Sequence, residues 1–539
     1  MIQQIDYFVI APPLVLALVA ALVLLLDAFL PPRPRTQTVL GLVTLAGVLV
    51  ALAFVVAQAI RGGPPQSTFC VPADLAGPTR LCSFVADGFT LVFAGMVLVA
   101  AVVVVLMSMT ELAAGGIPVG EWYFLLLCTL VGAVTLPASR DLIMLVVALE
   151  LVSLPVFALT ALKRYDGRAS EAAVKLFVVS VVSTAVMLFG VSLLYGIAGT
   201  VYLSRLGAVF SSQAPAPGLA ETAAQATAQS LPAVVSVGVV LVVAGFAFKI
   251  AAVPFHSWAA DVYQGAPVPV AALLSVISKA AGFAGLILVL VAGLSGQVAT
   301  WAPIVAVIAA LTMTVGNLLA MRQRSAVRLL AWSSVAQSGY ILAPLAVAAA
   351  QSPSPRLAGA TTALQAPAGT GPTSAGLPMT GAVGTSMAYL IIYAAMNLGA
   401  FAVVLLVSRT AARNELDDYR GLVFRRPAAG LALAFCLVCL AGLPPGLAGL
   451  FAKVFVFREI VEGGSGWLAL IMAVNTVIGL YYYAVWTARL FTPATGPVLA
   501  QRRPTPTTWL AIGLALGVAV LFSIAPQLVL DMTSLSAFG

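Results

Sequence analysis

From Phe8 onward, long mostly apolar stretches alternate with short polar connections. A helix crossing the hydrocarbon core of a bilayer needs about 20 such residues. That length predicts spans near 8–30, 38–60, 89–110, 121–138, 141–162, 172–197, 231–253, 267–293, 300–320, 329–350, 382–408, 428–457, 467–490 and 508–530. The fold expected is all-α: a polytopic membrane protein of about 14 transmembrane helices. The first stretch, from Phe8 to Leu30, has no basic leader and no Ala-x-Ala-type cleavage site, and reads as a retained helix. Three connections, 61–88, 198–230 and 351–381, are long and rich in Ala, Pro, Gly, Ser and Thr, and predict surface or flexible segments with little chemistry of their own.

Two spans carry helix breakers. Pro254 follows Lys249 in the seventh, and Gly442-Leu443-Pro444-Pro445-Gly446 precedes Lys453 in the twelfth. Proline inside a spanning helix frees backbone polar groups, which must then face protein or water. Helices 4–8 and 9–13 each make five spans, with the break in the fourth of each set. Two five-helix units in sequence have opposite orientations, so the pattern predicts an inverted repeat, and interrupted helices in matching places point to an ion path. The expected organisation is residues 1–120 as helices 1–3, 121–293 and 300–490 as the two repeats, and 491–539 carrying helix 14.

Composition sharpens this picture. Of 539 residues, 62% are hydrophobic and 8% charged, which excludes a soluble domain with its usual quarter of charged residues. The net charge of +8 does not indicate nucleic acid, because the arginines sit in short loops between apolar spans. With the N-terminus outside, the inner loops hold 17 basic residues: Arg33, Arg35, Lys163, Arg164, Arg168, Lys175, Arg322, Arg324, Arg328, Arg409, Arg413, Arg420, Arg425, Arg426, Arg489, Arg502 and Arg503. The outer loops hold six: Arg61, Arg80, Arg140, Arg205, Arg356 and Arg458. This bias sets the orientation. It also puts Cys70 and Cys82 outside, where either a disulfide or two free thiols is open. Cys436 and Cys439 form a C-x-x-C inside an apolar span with no second pair nearby, and read as small packing residues without metal or redox function.

Three lysines remain inside apolar runs, Lys249, Lys279 and Lys453, together with one carboxylate, Glu150. Each charge at mid-bilayer costs roughly 2.5–3.5 kcal/mol, so four unpaired ones cost on the order of 10 kcal/mol. The chain has 21 arginines and five lysines, yet every deeply placed base is a lysine. Arginine stays charged in any protein setting, whereas a desolvated lysine can release its proton. The choice favours titration over fixed charge. Snorkelling or structural ion pairing is the alternative, weakest for Lys279. His256, the only histidine, either relays protons at the inner end of the seventh helix or bonds Ser257 or Asp261. Lys175 either pairs with Glu171 at i,i+4 or acts beside Glu150. No Gly-rich dinucleotide fingerprint opens a helix and no cysteine set suits an iron–sulfur cluster, so no cofactor or metal is expected on this chain.

Four stretches together resemble the antiporter-like subunits of respiratory complex I: Leu149-Glu150 to Pro155, Ser170 to Phe177, Phe246 to Trp258 continuing to Pro267, and Arg328 to Ser334 with Gly339-Tyr340. The likeness runs from about 85 to 490. It implies that Glu150 pairs with Lys249 and modulates its proton affinity, that Lys279 is the central lysine, and that Lys453 releases the proton outward. A lysine at 453 resembles the subunit N branch of bacterial NADH-quinone oxidoreductase, where the subunit M branch has glutamate. Departures occur as well. Gln337 stands where a histidine is usual, so the link from Lys279 to Lys453 is expected to rely on water and on Ser333, Ser334 or Ser338. The inlet reads Trp258-Ala259-Ala260-Asp261 and Tyr263-Gln264-Gly265 where the family has Trp-Ala-Pro-Asp and Tyr-Glu-Gly.

The resemblance implies proton transport in a bacterial cell membrane, driven by quinone reduction elsewhere. The partners implied are other membrane-arm subunits, with NADH, FMN, iron–sulfur clusters and quinone on them. Two rivals remain at this stage: a subunit of a multi-component cation/proton antiporter, and a scaffold whose polar residues only pack helices.

Overall fold

The computed structural model describes residues 5–31, 33–72, 80–163, 165–211, 223, 225, 227, 229–347, 380–411, 413–493 and 505–534. Arg164, Arg356, Arg502 and Arg503, nearly all of the 351–381 connection and part of the 198–230 connection lie outside the described residues.

Every predicted span meets a helix. The first six are α1 (Ala11–Phe29), α2 (Pro34–Arg61), α3 (Gly88–Leu112), α4 (Val119–Thr135), α5 (Leu142–Ala161) and α6 (Gly167–Ala198). The seventh is split into α7 (Pro232–Lys249) and α8 (Ala259–Gly265). Then come α9 (Val268–Gly293), α10 (Val298–Ala320), α11 (Ala326–Leu342) and α12 (Thr380–Ser408). The twelfth span is split into α13 (Pro427–Ala441) and α14 (Leu447–Glu462), followed by α15 (Gly466–Phe491) and α16 (Pro506–Ile524).

Among the described residues, 12 helices are long and apolar enough to cross a membrane. The two remaining predicted spans are α11, at 17 residues, and the split pair α13–α14, at 15 and 16. Helix starts are set locally. The Asp87, Asp141, Asp166 and Ser325 side chains accept from the first free backbone N–H groups of α3, α5, α6 and α11.

The bundle has a clear centre. The apolar window of α9 is 100% buried and that of α12 is 94%, against 22% for α6 and 28% for α1. The outer helices turn Val174, Phe177, Val181 and Leu18 outward, as lipid-facing surfaces require. Lys279, on α9, therefore belongs to the most enclosed of the candidate spans among the described residues.

The 61–88 connection is more ordered than its composition implied. It forms an antiparallel hairpin of β1 (Gln66–Cys70) and β2 (Cys82–Ala86), with Gln66 opposite Ala86 and Cys70 opposite Cys82. Cys70 and Cys82 are joined by a disulfide. Burial alternates along Cys82-Ser83-Phe84-Val85-Ala86, a period-2 signal too short to stand out beside flanking Pro and Gly. Likewise the 198–230 connection holds a short helix, Leu203–Phe210. Cys436 and Cys439 are free and buried, and Gly399 and Gly446 pack directly against their sulfurs, which agrees with a packing role.

Candidate functional site: a row of buried lysines

Both helix breaks draw hydrogen bonds from neighbouring helices; at the second, Ala448 N–H donates to the Ser523 hydroxyl of α16 at 3.2 Å. In the first, Ala251 adopts a left-handed φ of 56° and Ala252 N–H reaches back to the Ala247 carbonyl at 2.7 Å. Val253 N–H donates to the Thr312 hydroxyl of α10 at 2.9 Å, and the Ile250 carbonyl accepts from Ser338 of α11 at 2.8 Å. Backbone freed from helix at membrane depth must find such partners.

Lys249 is the last residue of α7 and is buried. Its stem lies against Gly282 of α9, where a Cβ would come within 3.0 Å of the Lys249 Cγ. The amine donates to Ser153 of α5 at 2.5 Å. Ser153 lies one turn along α5 from Glu150, whose carboxylate accepts from Thr184 of α6 at 2.7 Å. Glu150 and Lys249 form no direct ion pair. Each head group instead bonds a hydroxyl, with Glu150 one turn from the Ser153 that holds the Lys249 amine.

Lys279 follows a π-helical turn, Leu274–Ser278, within α9. Such turns re-aim a side chain and recur at functional sites. Its amine, 1% exposed, donates to the Ser334 carbonyl at 2.5 Å and to the Ser338 hydroxyl at 2.8 Å. The Ser338 hydroxyl in turn bonds the Ile250 carbonyl, the residue next to Lys249. One serine therefore touches both the central amine and the break that carries the first.

Lys453 of α14 donates to the Leu440 and Ala441 carbonyls at 3.0 and 2.7 Å. These are terminal carbonyls of α13, the partially negative end of that helix. Its amine also sits 5.7 Å over the Tyr340 ring. Gly442, at φ 82°, keeps the space, since a Cβ there would lie 3.4 Å from the amine.

Between Lys279 and Lys453 lies a set of hydroxyls and amides on α11, α12 and α15. Tyr389 donates to the Gln337 side-chain carbonyl at 2.6 Å, and the Gln337 amide bonds Tyr483 at 3.3 Å. Tyr483 also pairs with the Ser333 hydroxyl. Tyr340 stacks on Tyr389 with centroids 6.0 Å apart, and Tyr393 donates to the Ser334 hydroxyl at 2.8 Å. Gln337, Ser333, Ser334 and Ser338 are thus all placed in this region. Sequence reasoning missed the tyrosines and Ser153. A signal existed: Tyr389, Tyr393 and Asn397 recur every four residues along an otherwise apolar helix.

His256 and Lys175 sit apart from the row. The His256 Nδ1 is buried with no hydrogen-bond partner among the described residues, and its ring meets Trp332 edge-on at 5.5 Å. Asp261 accepts from Arg328 of α11 at 2.9 Å and from Lys175 of α6 at 3.2 Å. Lys175 also pairs with Glu171 at 2.7 Å and is 44% exposed; its partners are these carboxylates and not Glu150. Asp261 thereby ties α8 to α6 and α11. Half-exposed ion pairs are worth up to about 1 kcal/mol, roughly fivefold in a local opening equilibrium. Asp261→Asn is expected to raise hydrogen exchange across 259–265 by up to that factor while leaving α9 unchanged, as peptide-resolved exchange would read.

No group of three or more His, Cys, Asp or Glu suited to a metal ion occurs among the described residues. The arrangement instead places three buried amines among hydroxyls, amides and carbonyls, chemistry suited to passing protons.

Comparison with known proteins agrees with this geometry. The profile of the transmembrane family described as NADH:quinone oxidoreductase/Mrp antiporter matches residues 139–359 and 374–479. NADH-quinone oxidoreductase subunit N 2 of Streptomyces griseus is 46% identical, over 100% of this chain and 95% of that protein. A chain of respiratory complex I from Thermus thermophilus has a TM-score of 0.70 at 27% identity, covering 96% of this chain and 98% of that one. A chain of the Mrp complex from Dietzia sp. DQ12-45-1b shares the fold, with a TM-score of 0.75 at 19% identity over 97% of this chain and 96% of that one. The chain is a multi-pass membrane protein of the NADH:quinone oxidoreductase/Mrp antiporter family, and within it belongs with the NADH-quinone oxidoreductase subunit N proteins.

Proposed function

We propose that this chain is the proton-translocating membrane-arm subunit of a bacterial NADH-quinone oxidoreductase. Protons pass along Lys249, Lys279 and Lys453, with Glu150 tuning the first. The observation that carries the reading is the burial of all three amines among hydroxyl, amide and carbonyl groups, with Ser338 bonding both Lys279 and the backbone beside Lys249. Lipid-facing lysines would not support it.

In one state the Glu150 carboxylate favours a protonated Lys249. When a neighbouring subunit withdraws that influence, the proton moves to Lys279. From there it passes by Ser334, Gln337, the α12 tyrosines and intervening water to Lys453 and the outer face. The buried oxygens of Ser386 and Asn397, without a partner among the described residues, are places such water would bind. His256 and Lys175 lie toward the inner side as supporting residues of the inlet. Moving one proton against 100 mV costs about 2.3 kcal/mol. The energy comes from redox chemistry on partner subunits carrying NADH, FMN, iron–sulfur clusters and quinone.

The same reading takes 121–293 and 300–490 as two inverted five-helix repeats. Residues 1–120 and 491–539 flank them. The N-terminus lies outside a bacterial plasma membrane, as the excess of basic residues in the inner loops favours. Purification of the tagged chain from its native membrane separates this function from an antiporter. Co-purifying subunits with iron–sulfur absorption are expected; recovery of small membrane subunits alone would contradict the assignment.

A further inference from the structure

A cavity of about 680 Å³ opens between α2, α3, α12 and α16, away from the lysine row. Its body is apolar, lined by side chains such as Val56, Met96, Val103, Leu398 and Val518, and its polar groups gather at one end, beside the hairpin. There Gln58 is committed to the Phe8 and Val9 carbonyls at 2.6 and 3.2 Å, and Asp87 to Arg140 and the Thr90 N–H.

The dimensions restrict what fits. Along α3 the cavity runs from Gly88 to Val103, about 22 Å at the helical rise of 1.5 Å per residue. That equals one leaflet, about 15 Å of hydrocarbon plus its headgroup layer. The polar end and the apolar body follow the division of a lipid into headgroup and acyl chain. Water has no polar partners in the body of the cleft, and an empty cleft would leave its walls without dispersion contacts. A hydrocarbon chain satisfies length and polarity together. At the rim, Arg61 is exposed, with its guanidinium 3.7 Å from the centroid of the Phe8 ring, and immediately precedes the lining Gly62. This sets a cation at headgroup level.

We infer that this cleft is a binding site for one phospholipid of the leaflet on the hairpin side, its acyl chain along α3 and its phosphate near Arg61. Gly95 forms part of the floor. A Cβ built there meets only Val55, at 4.0 Å, so a larger side chain would enter the cleft without displacing backbone.

The test is phospholipid content of the intact purified complex after exhaustive detergent exchange, counted by mass spectrometry. Gly95→Phe is expected to lose one phospholipid per complex relative to wild type, whereas Gly95→Ala, whose methyl leaves the cleft open, retains it. Val99→Trp, one turn further along α3, provides the same block if Gly95→Phe does not assemble. Equal phospholipid counts in wild type and the blocked variant would overturn the site. So would loss of a phosphate-free isoprenoid in its place, or loss of a neighbouring subunit at unchanged phospholipid count.

Discussion

Lys279→Ala abolishes proton delivery through this chain while the membrane arm still assembles. The amine is fully enclosed, on the most enclosed of the candidate spans among the described residues, and its contacts are the Ser334 carbonyl and the Ser338 hydroxyl. Alanine removes the one group there able to take up and return a proton between the other two lysines. Loss of a positioned proton donor–acceptor costs on the order of 10²–10⁴-fold in transfer, which reduces this path to about 1% of normal or less. Assembly survives because Lys279 has no carboxylate partner among the described residues that would be left buried and unpaired. The measurement is the proton-to-electron ratio of the reconstituted complex, with NADH–quinone turnover as the control. If the three lysines only packed helices, Lys→Met variants would keep or gain stability and lose no pumping.

Gly449→Ala has the largest expected structural effect. A Cβ on Gly449 would lie 1.7 Å from the Cys439 carbonyl oxygen and 2.7 Å from its carbon. The obstacle is backbone, so α13 and α14 must separate. Overpacking of a tight core costs typically about 1–3 kcal/mol and more when backbone has to move. The displaced turn directly precedes the Leu440 and Ala441 carbonyls that hold the Lys453 amine. The glycine therefore links packing at the second break to the position of the outermost lysine. The amount of assembled complex in native gels should fall several-fold, and any that assembles should pump less per electron. Normal assembly and normal pumping would show that the break tolerates a wider spacing.

Much of this was legible from the chain because membrane burial makes a charged residue conspicuous. Lys249, Lys279 and Lys453 stand out against apolar runs, and Pro254 and Pro444-Pro445 mark the two places where helix gives way. What escaped has physical reasons too. Tyr389, Tyr393 and Tyr483 score as ordinary membrane aromatics, and only packing shows their hydroxyls turned toward Ser333, Ser334 and Gln337. Sequence spacing gives the depth of Glu150 and Lys249 but not their rotamers, so the direct pair could not be distinguished from separate contacts to Thr184 and Ser153. The partner of Lys175, Asp261, is 86 residues away in the chain and comes near only because α8 folds back against α6. The β1–β2 hairpin was hidden by its own length, five residues a strand between Pro- and Gly-rich flanks.

The departure at Gln337 also acquires a physical meaning. A histidine would supply a titrating ring midway between two lysines. The amide cannot titrate, but it can accept from Tyr389 and donate to Tyr483 at once, holding two hydroxyls in fixed orientation. A relay built this way depends more heavily on its amines for storage of the proton.

What distinguishes a titrating amine from a mere positive charge is its ability to become neutral, and lysine-to-arginine exchange isolates that property. The decisive measurement is the proton-to-electron ratio of the assembled Lys279→Arg complex in sealed liposomes, at matched NADH–quinone turnover. A ratio as low as that of Lys279→Ala is expected. A ratio equal to wild type, with the charge held permanently in place, would contradict proton transfer through this lysine.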